Sequence, residues 1–156
     1  MTAGAAYVAV IGASSATAEQ ERVAEEVGRG LAQAGAIVVT GGGPGVMAGA
    51  SRGAHGVGGT VIGILRGEDR RAANQWVTIA LPTGVGDLRN GLIVRAADAA
   101  VAIGGAHGTL SEIALALVAG LPVVGLDTWD VDGVEEADSP AHAVQRALAL
   151  AAARRS

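Results

Sequence analysis

The chain contains no cysteine, which excludes both a disulfide framework and a thiolate metal site. Aromatic residues are scarce: Tyr7, Trp76 and Trp129 are the full set. The core must therefore come from Val, Ile, Leu and Ala, each contact burying little area, and such a composition points to a homo-oligomer. Basic residues number 11 against 15 acidic ones, for a net charge of −4, and they form no basic tract. Binding to nucleic acid or to an anionic membrane surface is not expected. The longest apolar run, near Ile113–Leu126, is broken by Gly120 and Pro122 and is too short to span a bilayer. The opening stretch, residues 1–12, has no positively charged region and enters a candidate strand directly. No signal peptide is expected, and the cytoplasm is the expected compartment. His55, His107 and His142 lack metal-ligand spacing, so no metal and no tightly held cofactor are expected.

What is present is apolar and rich in glycine. Half of the 156 residues are hydrophobic, which excludes disorder and suits one domain over residues 1–156. The 25 glycines are clustered rather than periodic, which excludes collagen and linker readings and leaves tight turns as their use. Apolar runs read as strands at 7–11, 37–40, 60–65, 77–80, 99–103 and 123–126. Helical patterns cover 18–34, 46–54, 88–97, 109–119 and 141–153, with Gly35 and Gly120 as stop signals. Asp127–Pro140 reads as a polar loop. Strands that are apolar throughout and alternate with helices predict an α/β fold: a Rossmann-like, doubly wound parallel sheet in a three-layer α/β/α arrangement. Ligands in such sheets bind outside the carboxyl ends of the strands. The glycine clusters follow Ile11, Thr40 and Ile103, at those ends.

The first cluster opens with Gly12 and Ser14. The second, Gly41-Gly42-Gly43-Pro44-Gly45-Val46-Met47, joins a strand to a helix, where backbone amides and a helix N-terminus favour a phosphate. It is neither a dinucleotide fingerprint nor a Walker loop, and tight strand-to-helix packing is the alternative use. The third runs from Gly104 through Gly105, Ala106, His107, Gly108 and Thr109 to Glu112. Thr109 can cap the helix or give its hydroxyl to a phosphate. Glu112 has the spacing of a capping box, or it is a carboxylate placed for acid–base work on a bound sugar or base. His107 is a candidate ligand contact or a plain loop residue. Arg89 and Arg95, on the helix before the fifth strand, suit phosphate recognition or a solvated surface. Asp87 is expected to cap that helix. Trp129 either stacks on a base or covers the core.

On these two long signatures the sequence resembles the LOG family, also described as lysine decarboxylase-like. The nearest resemblance is to the short bacterial branch that includes molybdenum-cofactor carrier proteins. The family pattern P-G-G-x-G-T-x-x-E is met by Gly105, Gly108, Thr109 and Glu112, and departs at Gly104 and Ala106. The family's Arg-Lys pair falls on Arg89 and Asn90, a second arginine falls on Arg95, and the triple-glycine loop is one residue shorter. The resemblance implies a homodimer or homotetramer and a phosphorylated small-molecule partner of nucleotide or pterin type. It implies catalytic roles for Glu112 and Arg89, with Gly12, Ser14, Gly41, Gly42, Gly43, Gly45, Met47, Arg95, Gly105, His107, Gly108 and Thr109 around the ligand. LOG enzymes cleave the N-glycosidic bond of cytokinin nucleoside 5′-monophosphates to free base and ribose 5-phosphate. The expected function is thus a phosphoribohydrolase, or a carrier of a phosphorylated cofactor that does no chemistry.

Overall fold

A computed structural model describes residues 4–156; the first three residues of the opening stretch, where no leader is expected, lie outside them. At the centre two strands run parallel, β1 (Tyr7–Gly12) and β5 (Ala99–Ile103), with Val8 opposite Ala99 and Gly12 opposite Ile103. Beyond β1 come β2 (Ile37–Thr40), β3 (Val61–Leu65) and β4 (Ile79–Pro82); beyond β5 come β6 (Val123–Leu126) and β7 (Val134–Glu136). The order is β4-β3-β2-β1-β5-β6-β7, and every pairing is parallel. All five residues of β5 are buried because helices cover both faces of the sheet. On one face Val8 and Val10 pack with α1 (Ala18–Gln33), α2 (Val46–His55) and α5 (Pro140–Arg155). On the other, Ala9 and Ile11 pack with α3 (Arg89–Ala96) and α4 (His107–Val118). This is the Rossmann-like, doubly wound α/β architecture predicted from the strand pattern.

The helix ends follow local chemistry. Thr17 opens α1 with a reciprocal capping box: its hydroxyl accepts from the Gln20 amide at 3.1 Å, and the Gln20 side chain accepts from the Thr17 amide at 3.0 Å. Gly35 follows the last turn at φ +83°, as its stop role requires.

Two expectations shift. The strand read at 77–80 pairs at 79–82 instead, and β7 lies inside the stretch read as loop. Three residues carry no periodicity to read, and β7 exists because the edge of β6 pairs with it. The use of glycine needs a larger correction, since several glycines serve helix packing rather than turns. A Cβ on Gly28 would stand 2.0 Å from the Ala50 carbonyl oxygen, one on Gly53 2.0 Å from the Glu25 carbonyl oxygen, and one on Gly49 2.6 Å from the Glu21 carbonyl oxygen. The close seat of α1 on α2 depends on their absent side chains.

Candidate functional site

The sheet reverses its winding between β1 and β5, and ligands in open α/β sheets bind at such a switch point. A cavity of about 320 Å³ opens there. Its walls are Gly12–Ser14 at the end of β1, Gly41–Pro44 and Met47 after β2, Arg66 after β3, Arg89 and Asn90 at the start of α3, and Gly108, Thr109 and Glu112 of α4.

Arg89 is 8% exposed. Its Nη1 donates to the carbonyl oxygens of Gly41 at 2.8 Å and Ile64 at 2.7 Å, and its Nε to Asn90 Oδ1 at 2.8 Å. A Cβ on Gly41 would lie 2.7 Å from that Nη1, so glycine makes room for the guanidinium. Asn90 stands where the family resemblance places a lysine, and its amide oxygen now orients the arginine. Among the described residues Nη2 has no partner, and no carboxylate lies within ion-pair distance of the guanidinium. Burial lowers the Arg89 pKa, and the more distant Glu112 carboxylate opposes that only in part. A desolvated cation without a counterion favours an anion beside it.

The start of α4 adds the complementary half. The helix begins at His107, and no side chain caps it, so its first amides are left to solvent or ligand. Thr109 lies inside the first turn, 2% exposed, and its Oγ1 is buried without a hydrogen-bond partner. Leaving such a hydroxyl unsatisfied costs about 1–3 kcal/mol, and a partner from outside the chain removes that cost. One turn further on, Glu112 is 8% exposed. Burial pushes its carboxyl up to about 7, against a smaller opposing pull from Arg89. The alternative roles of Thr109 and Glu112 as helix caps are not realised, because the helix starts two residues earlier than the sequence pattern indicates.

The family departures have local reasons. Gly104, in place of proline, holds φ +58°, which a proline ring forbids. A Cβ there would also meet the Gln20 side chain at 2.3 Å. Ala106 sits at φ −109° and needs no glycine. Gly45, at φ +69°, lies against the Ala13 carbonyl, which a Cβ would approach to 2.3 Å, so it joins the first two glycine loops without lining the cavity itself.

The structure brings together Gly12, Ser14, Gly41, Gly42, Gly43, Met47, Arg89, Gly108, Thr109 and Glu112. It does not bring in Arg95, which is exposed, nor His107 and Gly105, which belong to the outer side of the third loop. There Trp129 neither covers the core nor faces the cavity. Its Nε1 donates to the Ala106 carbonyl at 3.1 Å, and its ring stacks on His107 with centroids 6.0 Å apart. Asp87 does not cap α3; it pairs with Arg66 at 2.8 Å on the cavity rim. Arg66 escaped the sequence reading, because a lone arginine in a connecting segment carries no pattern. Among the described residues no helix is long and apolar enough to cross a membrane.

Known proteins resemble this chain over nearly its full length. An uncharacterized protein of Archaeoglobus fulgidus is 37% identical over 138 residues, covering 88% of this chain and 91% of its own. The molybdenum cofactor binding protein of Rippkaea orientalis superposes with a TM-score of 0.90 at 32% identity, covering 96% of this chain and 99% of that one. The molybdenum cofactor carrier protein of Chlamydomonas reinhardtii does so at 0.87 and 34%, covering 95% and 99%. The model of one family matches residues 5–153, and the chain belongs to it: the SLOG cluster4 family.

Proposed function

We propose that the chain binds a phosphorylated small molecule of pterin or nucleotide type in the cavity around Arg89, and carries it without chemical change. The observation that carries this reading is the buried guanidinium of Arg89, held by two carbonyls and facing the cavity without a counterion. An anionic ligand group there would neutralise Arg89. The Thr109 hydroxyl and the uncapped start of α4 supply further donors. The names of the two similar solved proteins, a molybdenum cofactor binder and a molybdenum cofactor carrier, support a pterin-type cargo with a phosphate.

A second reading, the phosphoribohydrolase, is favoured by one feature. Glu112 lies on the same cavity wall, with a carboxyl that titrates at about 7. That value suits a group exchanging a proton with water or with a leaving base near neutral pH. The experiment that separates the two is incubation with a panel of nucleoside 5′-monophosphates, including N6-substituted adenylates. Binding is followed by calorimetry and free base by chromatography, with a phosphorylated pterin alongside. Binding without base release is the expected result; release of base makes the chain a hydrolase and ends the carrier reading.

The ligand site belongs in this proposal to a homo-oligomer. Leu88 just before α3, Leu92 on α3, and Leu115 and Val118 on α4 are exposed on one layer, Leu88 at 80% and Val118 at 83%, apolar surface that a second copy would bury. Light scattering should return a multiple of 15.2 kDa, and Val118→Arg with Leu88→Asp should reduce it. A monomeric wild-type protein at micromolar concentration would refute the assembly.

A further inference from the structure

Between β3 and β4 the chain leaves the sheet and passes beside α2, meeting Ser51 and Arg52, and Asn74 ties this excursion to the triple-glycine loop. The Asn74 backbone amide donates to the Gly42 carbonyl at 2.8 Å. Its side-chain Nδ2 donates to the Gly43 carbonyl at 3.0 Å and reaches Ser51 Oγ at 3.4 Å, while its Oδ1 accepts from the Trp76 amide at 3.1 Å. Both supports are anchored in turn. Ser51 is fully buried and donates to the Met47 carbonyl at 2.7 Å. The Trp76 ring lies under the Arg52 guanidinium, 5.2 Å from its centroid, and Arg52 is bound to Glu25 of α1.

This decides which groups the loop can offer an anion. Arg89 holds the Gly41 carbonyl, and Asn74 holds those of Gly42 and Gly43. The Gly42 amide is taken by Thr40 Oγ1 at 3.0 Å, and Pro44 has no N–H. In a trans peptide the carbonyl and the following N–H point in opposite directions. With the Gly42 oxygen drawn to Asn74, the Gly43 N–H is turned away from Asn74, and Gly43 lines the cavity. That amide has no partner among the described residues.

We infer that Asn74 is a positioning residue of the anion site, holding two carbonyl oxygens out of the cavity so that the Gly43 amide is the donor this loop gives to the ligand. The inference rests on the proposal that the cavity binds an anion. Without the Asn74 side chain the Gly43 carbonyl is released and can turn towards the cavity, where its oxygen repels an anion beside the Gly43 N–H, while the Gly42 carbonyl stays held by the backbone amide of residue 74. An aspartate in its place would accept but not donate, and would repel the Gly43 oxygen.

The test is sulfate binding to the full chain, since sulfate keeps its charge from about pH 3 to about pH 8. A carbonyl oxygen freed to face the anion predicts about tenfold weaker binding in Asn74→Ala, and at least that loss in Asn74→Asp near neutral pH. As pH falls to about 3, below the ordinary aspartate value of about 3.9, the introduced carboxyl gains a proton and can donate again. Relative to wild type, Asn74→Asp should therefore recover most of its affinity while Asn74→Ala does not; a destabilised fold would not produce that difference. Wild-type affinity in both variants near neutral pH overturns the role of Asn74 and leaves the anion site standing. Failure of the wild-type chain to bind sulfate, phosphate or any phosphorylated probe overturns the anion site itself. If the variants do not fold, the wild-type Gly43 amide decides: sulfate should move its proton resonance downfield and slow its exchange, and an unchanged resonance refutes the inference.

Discussion

Arg89→Lys should weaken binding of inorganic phosphate, and of any phosphorylated ligand the wild-type chain accepts, by about a hundredfold, close to 2.8 kcal/mol. The charge is conserved in this substitution, so the loss reports geometry. The guanidinium spends Nη1 on the Gly41 and Ile64 carbonyls and Nε on Asn90, and still has Nη2 to give to a ligand. An ammonium has three donors on a flexible stem and cannot hold that fork. A carbonyl left unpaired adds a stability loss of about 1–3 kcal/mol, a fall in Tm of roughly 2–4 °C for each kcal/mol in a chain of this size. Arg95→Gln is the companion measurement. That side chain is exposed and does not line the cavity, so affinity should stay within about twofold. Equal phosphate affinity in wild type and Arg89→Lys would remove Arg89 from the site.

The second large effect concerns Glu112, whose replacement by glutamine should stabilise the fold in a pH-dependent way. The native carboxyl titrates at about 7 against an ordinary 4.5. Between those values the folded protein keeps a proton that the unfolded chain has released. More protons are bound in the native state, so stability falls as pH rises through this window, and the full cost persists above it. At 1.36 kcal/mol per pH unit the cost above pH 7 is on the order of 3 kcal/mol. Glu112→Gln, which preserves volume and carries no charge, should thus raise Tm by roughly 6–12 °C near pH 8. The difference should shrink towards zero as pH falls to about 4.5. A Tm difference that is the same at both ends of the range would show that Glu112 is not held protonated by burial. The same substitution should flatten the pH dependence of sulfate affinity, which in the wild-type chain declines above pH 7 as the nearby carboxylate ionises. If nucleotides are turned over, Glu112→Gln should abolish base release while binding survives.

A glutamine of similar size carries no charge and would avoid this cost. The expense is of the kind found where a site needs a group in a particular protonation state. The unsatisfied hydroxyl of Thr109, one turn away, is a second local cost on the same wall.

Much of this architecture was legible from local pattern. Continuous apolar runs such as Val8–Ile11 and Ala99–Ile103 imply strands covered on both faces, and the helical spacing of Val27 and Leu31 implies a helix against them. Backbone chirality leaves few ways to wind such units. The glycine clusters at strand ends pointed to the switch point for the same reason. Glu112, Thr109 and Arg89 were legible through spacing to those clusters, although Arg95, equally prominent in the sequence, turned outward because α3 buries Ile93 and Val94 instead.

The rest depends on contacts between residues far apart in the chain, where no period or spacing operates. Arg89 reaches Gly41 across 48 positions and Ile64 across 25, and Asn74 reaches Gly43 across 31. Gly28, Gly49 and Gly53 look like turn residues in one dimension and serve as helix contacts in three. Local chemistry, acting through hydrophobic periodicity and glycine's backbone freedom, settled the fold class and the end of the sheet that carries the cavity. Only the tertiary structure decided which charges lose their water, which hydroxyl is left without a partner and which amide faces the cavity, because burial and hydrogen-bond direction are properties of the packed assembly of elements and not of any one segment.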